Sequence, residues 1–186
     1  MTNYLNTEES DKVIERKQTF LVSAISDIST YIQLADTKVS IVMGAVVAIL
    51  VGLATCYNPI SHLVKKIIPC SWSGMSFILF TILGGLSVVL TFVFGILTVR
   101  GHSCIIGYKS KWFLAKSTKE YSFDEFSRDI KGMTDDDIIT NMAAELYKLN
   151  DINRQKMRTM KWALRMFSVF LVALATISMI FLLNVI

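Results

Sequence analysis

Charged residues are scarce in this sequence. Only 18% of its 186 residues are Asp, Glu, Lys or Arg, against about 25% in ordinary soluble domains. Proline and histidine occur twice each, and so little proline excludes a collagen-like or proline-rich protein. A hydrophobic share of 53% excludes a mostly disordered chain. What remains is a membrane protein or an unusually apolar helical domain.

The few charges leave three long stretches empty. No Asp, Glu, Lys or Arg occurs in residues 39–64, 67–99 or 166–186. About 20 apolar residues cross the roughly 30 Å hydrocarbon core of a bilayer. A soluble chain of this size is too small to bury three helices that are apolar on every side. The sequence therefore predicts an all-α integral membrane protein.

The predicted transmembrane helices are 39–57, 75–99 and 166–186. Of the 19 Lys and Arg residues, four lie in 1–38, two in 58–74 and thirteen in 100–165. The positive-inside rule then predicts that 1–38 and 100–165 are cytoplasmic and that 58–74 forms an outer loop. We expect a multi-pass protein of the cell inner membrane, with a cytoplasmic N-terminus and an outer C-terminus.

Two helical seams flank the predicted spans. Their members follow each other at spacings of three and four, and each seam has one polar member, which can fix register and partner number. We expect the long first and last helices to form a cytoplasmic stalk, packed either within one chain or between subunits of a homo-oligomer. The seams are Ile14, Gln18, Leu21, Ile25, Ile28, Ile32, Ala35 and Val39, then Ile139, Met142, Leu146, Leu149, Asn153, Met157, Met160, Leu164 and Phe167.

Helix ends are marked in the predicted cytoplasmic segment. Ser122 is a suitable N-cap for a short helix over 123–130, which Gly132 ends. Thr134 is a suitable N-cap for the last helix, and the three Asp residues after it suit the positive end of the helix dipole. No proline or glycine follows, so 134–184 can form one helix.

Small residues form two ridges in the predicted spans. Gly44, Ala48 and Gly52 recur every four residues in the first span, and Ser87, Thr91 and Gly95 do so in the second. Such ridges let helices approach closely. Packing within one three-helix bundle and packing between subunits both explain them.

Catalytic motifs are missing. There is no Cys-x-x-Cys, His-Glu-x-x-His or glycine-rich phosphate loop, and His62 and His102 fall on opposite sides of the predicted membrane. We expect no enzyme activity, no metal, no cofactor and no nucleic-acid partner. Cys56 and Cys70 can pair only if both face an oxidising compartment, which the sequence leaves open.

Polar residues gather where the predicted helices meet the cytoplasmic face. Asp36 and Lys38 directly precede the first span. If the last predicted helix runs alongside, Asn153, Arg154, Lys156 and Arg158 lie opposite them. Such a group can hold a small anionic ligand. The nearby cations can instead hold lipid phosphates, and the spacing alone fits both interpretations.

Two stretches resemble the Pycsar transmembrane effectors. Residues 32–44, IQLADTKVSIVMG, are similar to the Ala-Asp-Thr-Lys-Ala-Ser element that leads into the first span of that family. Residues 121–167 are similar to the rest of its cytoplasmic segment, with a short acidic helix followed by a long helix. The order of spans also agrees. Val46 and Val47 depart from the pattern, since many relatives have a polar residue and Gly there.

The resemblance implies an antiphage effector. A partner cyclase makes a cyclic pyrimidine mononucleotide, cCMP or cUMP, and the effector senses it and impairs the inner membrane, which stops growth of the infected cell. The expected ligand residues are Asp36, Lys38, Tyr147, Asn153, Arg154 and Lys156. Arg154 or Lys156 would hold the phosphate, Asn153 would read polar edges and Tyr147 would stack. A scaffold protein, whose cytoplasmic helices recruit a partner while its spans only anchor it in the lipid bilayer, is the alternative.

Overall fold

A computed structural model describes residues 2–56, 71–100 and 122–185 of the chain. Its described part contains four α-helices and no strand, which confirms the all-α prediction. The helices are α1 (Thr2–Thr55), α2 (Ser71–Val99), α3 (Phe123–Lys131) and α4 (Asp135–Val185). Most of the predicted outer loop, including Cys70, and the stretch 101–121 lie outside the described residues. Cys56 is exposed and forms no disulfide with any described residue.

Three of these helices are long and apolar enough to cross a membrane. The qualifying segments are Lys12–Thr55, Trp72–Val99 and Asp135–Leu183. They contain the whole predicted span 75–99, and all but the last two residues of 39–57 and the last three of 166–186. Helix α2 begins at Ser71, four residues before the predicted span. The first turn of a helix has no intrahelical partners for its N–H groups, so small polar residues are tolerated there.

The predicted helix ends are confirmed. Ser122 and Glu125 form a reciprocal capping box at the start of α3, and Gly132 is its C-cap. Thr134 does the same for α4: its hydroxyl accepts from the Asp137 amide at 3.2 Å, while the Asp137 carboxylate accepts from the Thr134 amide at 3.0 Å. Each box satisfies N–H groups that the helix itself leaves without partners.

The chain forms two compact units. The first unit takes Met1–Gln33 and His102–Arg154, and the second takes Leu34–Gly101 and Gln155–Ile186. Helices α1 and α4 contribute residues to both units. In the first unit, Leu21 and Met142 are buried, and the other seam residues are half-buried. The predicted seams are therefore the sheltered faces of these helices.

The second unit has the larger apolar core. Ala35, Val39 and Met160 form a buried cluster, against which Met43, Met157 and Leu164 pack. The seam thus continues into the apolar part of both long helices. Val46, where we expected a departure from the family pattern, is fully buried, and Val47 is 48% exposed.

The two ridges of small residues have different surroundings. In α2, Ser87 and Thr91 are buried, and a Cβ added at Gly95 would come within 2.6 Å of the Met43 sulfur. This ridge packs inside the chain. In α1, Gly44 and Gly52 are exposed, and no described atom comes within 4 Å of a Cβ built on either. The α1 ridge faces away from the described residues.

Candidate functional site

Asp36 and Lys156 are joined in the second unit. The Lys156 ammonium donates to both carboxylate oxygens of Asp36 at 2.7 Å. The Lys156 side chain is only 8% exposed and that of Asp36 is 34% exposed. Burying a charge is costly unless it is paired and hydrogen-bonded. This ion pair therefore fixes α1 against α4 beside the buried cluster of Ala35, Val39 and Met160.

A second polar contact lies one turn further along α4. The hydroxyls of Thr98 on α2 and Thr159 on α4 are 2.9 Å apart and hydrogen-bonded. Thr98 is fully buried. Together with the Asp36–Lys156 pair, this contact links α1, α2 and α4 through buried and half-buried polar groups within about one turn of α4.

Three other predicted residues line a cavity in the first unit. Tyr147, Asn153 and Arg154 line it together with Asn150 and Asp151, all on about two consecutive turns of α4, and its volume is about 380 Å³. Pockets for small molecules have volumes of about 300–1,000 Å³. The structure therefore brings these three together in a space of suitable size for a small ligand.

The side chains of this cavity have unused binding capacity. The Asn153 Oδ1 atom is buried and has no hydrogen-bond partner among the described residues. Arg154 is 82% exposed, and one of its nitrogens donates to Asp151 at 2.9 Å. A guanidinium has five N–H donors, so most of its donors remain available. Tyr147 is 67% exposed, so its aromatic ring is accessible from solvent.

Lys38 is separate from both groups. It is exposed, and in the described part of the chain it forms no ion pair. The six predicted ligand residues thus divide into an ion pair, a cavity lining and a free surface lysine.

Two buried polar residues were not predicted from the sequence. Asn141 is 4% exposed and Glu145 is 9% exposed. The Glu145 Oε2 atom lies 3.5 Å from the Lys148 ammonium and has no hydrogen bond. Both residues directly precede a seam residue, a position at which polar side chains usually face water. The spacing therefore contains no signal that would have revealed their burial.

The described residues offer no metal site. Among them, no three His, Cys, Asp or Glu side chains are grouped closely enough to hold an ion.

Three helices are long and apolar enough to cross a membrane, which defines the chain as a helical membrane protein. Its first unit also has a cavity of the size of a small ligand. The chain matches the Pycsar effector protein domain over residues 20–184, and it belongs to that family. It is therefore an antiphage defence effector, as the resemblance of the two sequence stretches implied. No curated protein and no solved structure matches the chain.

Proposed function

We propose that this effector senses a cyclic pyrimidine mononucleotide, cCMP or cUMP, made by a partner cyclase, and that binding leads to impairment of the inner membrane. The observation that supports the sensing step is the cavity lined by Tyr147, Asn153 and Arg154. It combines a cation, an exposed aromatic ring and a buried acceptor without a donor. A cyclic mononucleotide has a matching anion, planar base and N–H donors.

Arg154 is the better phosphate ligand of the two cations that the sequence suggested. The Lys156 ammonium already holds two short hydrogen bonds to Asp36 and is nearly buried. Arg154 is exposed and keeps free donors in a planar fork, which suits bidentate binding of a phosphate. We therefore assign the phosphate to Arg154 and a structural role to Lys156.

The base occupies the side of Tyr147 and Asn153. An exposed tyrosine ring provides a surface for stacking, which is worth about 1–3 kcal/mol per base in nucleic-acid-binding proteins. The Asn153 carbonyl oxygen accepts either from the amino group of cytosine or from the ring N–H of uracil. An acceptor that is buried without a donor costs about 1–3 kcal/mol, so a ligand that supplies the donor recovers that cost.

The same helices connect sensing to the membrane. Helices α1 and α4 contribute residues to both units, and we propose that the effect of the ligand is transmitted along these two helices. A ligand shifts such an equilibrium only if it binds one arrangement better. We propose that the nucleotide-bound arrangement of α1 and α4 weakens the packing of the apolar helices in the bilayer.

Binding to the purified full chain in lipid nanodiscs tests the site. Arg154→Ala should weaken cCMP or cUMP binding by about ten- to a hundredfold, because a hydrogen bond to a charged group is worth about 1.5–3 kcal/mol. Tyr147→Ala should weaken it by a comparable factor. Lys131→Ala and Tyr31→Ala change an exposed cation and an exposed tyrosine of the same unit and should leave affinity unchanged.

Several outcomes would contradict the proposal. Wild-type protein that binds no cyclic mononucleotide in calorimetry would remove the sensing step. Equal losses in Arg154→Ala and Lys131→Ala would place the site elsewhere. Growth arrest in cells that express the effector without any cyclase would favour the scaffold alternative, since recruitment of a partner needs no nucleotide.

Topology is tested separately. The Lys and Arg distribution supports a cytoplasmic N-terminus and an outer C-terminus. An alkaline phosphatase fused after Ile186, which is active only outside the inner membrane, should be active, and one fused after Arg154 should be silent. The reverse pattern would refute this orientation.

A further inference from the structure

A groove opens between α1 and α2 in the second unit. It is lined by Ser40, Met43, Ile96, Val99 and Arg100, and its volume is about 520 Å³. Ser40 and Arg100 lie about one helical turn from Met43 and Ile96 respectively. One end of the groove is therefore polar and cationic, and the other end is apolar.

The cations around this groove outnumber the acids. Among the described residues of the second unit, Asp36 is the single carboxylate, and Lys156 binds it at 2.7 Å. The other described Lys and Arg residues of the second unit are exposed, and no described carboxylate lies within 4 Å of any of them. These cations are Lys38, Arg100, Arg158, Lys161 and Arg165. The surface carries a net positive charge that the described chain does not balance.

Four of these cations form a collar that is about one helical turn deep. The contacts Asp36–Lys156 and Thr98–Thr159 align the three helices, and α2 runs antiparallel to α1 and α4. Each of the four cations follows one of these contact residues by two positions, so together they span about 6 Å along the helix axes. They are Lys38, Arg100, Arg158 and Lys161. We call these four cations the cationic collar.

The collar coincides with the edge of the apolar helices. On the membrane side of the collar, α1 and α2 have no ionisable residue in their described parts, and α4 has Arg165 alone. The Arg165 guanidinium lies over the Trp162 ring, 5.0 Å from its centroid, and Trp162 is 40% exposed. Exposed tryptophan and snorkelling arginine are typical of the headgroup region of a bilayer. The polar end of the groove thus lies at the depth of lipid phosphates, and its apolar end at the depth of acyl chains.

We propose that this groove binds an anionic phospholipid, with the lipid phosphate on Arg100 and one acyl chain against Met43 and Ile96. The Arg100 guanidinium forms charge-assisted hydrogen bonds with the phosphate. The other cations of the collar raise the local concentration of anionic lipid. The Ser40 hydroxyl already donates to the Asp36 carbonyl at 2.9 Å, so Arg100 is the main polar contact. The site is distinct from the nucleotide cavity, which lies in the first unit.

Lipid retention on the purified full chain tests the proposal. The protein is reconstituted with phosphatidylcholine and phosphatidylglycerol, and the lipid that remains bound after detergent exchange is measured by native mass spectrometry. We expect retention of phosphatidylglycerol over phosphatidylcholine. Arg100→Gln should lower retention of phosphatidylglycerol by roughly five- to tenfold, the effect of one cation at an anionic surface.

Two further variants separate a defined site from diffuse attraction. Arg158→Gln removes the same charge from the collar without touching the groove, and it should lower retention much less than Arg100→Gln. Ile96→Trp keeps every charge but fills the apolar end, and it should also lower retention. Ile96 is 59% exposed, so the larger ring has room without disturbing the core.

The following results would overturn the proposal. Equal retention of the two lipids would exclude recognition of an anionic headgroup. Equal losses of lipid retention in Arg100→Gln and Arg158→Gln would show that the overall positive charge of the surface, rather than the groove, holds the lipid. Displacement of the lipid by soluble glycerophosphate alone would indicate an anion site without an acyl-chain contact. Cyclic-nucleotide binding, measured in the same variants, should not change, so this proposal and the proposed function fail independently.

Discussion

Arg154 and Lys156 are two residues apart on the same helix, yet their surroundings have little in common. Arg154 is 82% exposed and pairs with Asp151 three residues before it. Lys156 is 8% exposed and pairs with Asp36, which lies 120 residues away in sequence. The comparison shows that burial, rather than residue type or spacing, distinguishes the cation that stays accessible at the surface from the one that holds helices together.

The largest difference should appear when each pair is broken. Asp36→Ala leaves the nearly buried Lys156 ammonium without a partner, and removing one member of a buried pair costs about 3–5 kcal/mol. Arg154→Ala, measured without nucleotide, removes an exposed pair worth less than about 1 kcal/mol. Chemical unfolding of both variants in the same detergent compares these free energies.

A double variant sharpens this test. Asp36→Asn combined with Lys156→Met removes both charges and should recover most of the stability lost in Asp36→Ala, because no unpaired charge remains. Equal losses in Asp36→Ala and Arg154→Ala would mean that the Asp36–Lys156 pair is as well solvated as a surface pair.

Gly95 and Gly44 provide the next comparison of a buried position with an exposed one. A Cβ at Gly95 meets the Met43 sulfur at 2.6 Å, whereas a Cβ at Gly44 meets nothing described within 4 Å. Gly95→Ala should therefore destabilise the chain by about 1 kcal/mol through overpacking. Gly44→Ala should stabilise the monomer by up to about 1 kcal/mol through helix propensity. Thermal unfolding would contradict this if both variants shifted Tm in the same direction.

The exposed α1 ridge also bears on assembly. We propose a homo-oligomer in which Gly44, Ala48 and Gly52 allow close approach between subunits. Gly44→Leu should then reduce the oligomer seen after cross-linking in native-like lipid, while Gly85→Leu provides the control at another glycine with nothing within 4 Å. A strictly monomeric wild-type protein in lipid would rule this assembly out.

Some features of this structure could be predicted from the sequence, and others could not. Charge-free runs locate the three apolar helices, because a bilayer demands a certain length and composition. Ser122, Gly132 and Thr134 mark helix ends, because capping depends on local chemistry alone. Both predictions need only neighbouring residues.

Contacts between distant residues could not be predicted in the same way. The two small-residue ridges look alike in sequence, yet one is buried and the other is exposed. The pairing of Asp36 with Lys156 depends on the register of α1 against α4, which seam spacing leaves open. The family resemblance named both residues as ligand residues, but it did not reveal that they bind each other. The burial of Glu145 likewise depends on packing that periodicity does not encode.

Asn153 tests whether an unsatisfied group is kept for binding. Asn153→Leu removes a buried acceptor that has no donor, so it should stabilise the nucleotide-free protein by about 1 kcal/mol. The same change should weaken nucleotide binding, because the base loses its acceptor. Gln18→Leu alters the polar member of the other seam and should leave binding unchanged. A stabilised Asn153→Leu variant with normal affinity would remove Asn153 from the site.

The smallest effect is expected at the exposed Ser122–Glu125 capping box. Hydrogen bonds from the Ser122 amide at 3.0 Å and hydroxyl at 3.1 Å lower the pKa of Glu125 below its ordinary value. Because the pKa of Glu125 is lower in the folded chain than in the unfolded one, its ionised carboxylate stabilises the fold. This stabilisation is present above the ordinary pKa of Glu, and it is lost as the pH falls through the lowered pKa of the folded state.

Ser122→Ala removes the hydroxyl but keeps the amide, so the pKa of Glu125 should rise only part of the way. Carboxyl NMR titration of the full chain measures this rise, with Ser127→Ala as the control on the same helix. An unchanged pKa in Ser122→Ala would show that the hydroxyl adds nothing, and a full return to the ordinary value would show that the amide bond depends on the hydroxyl.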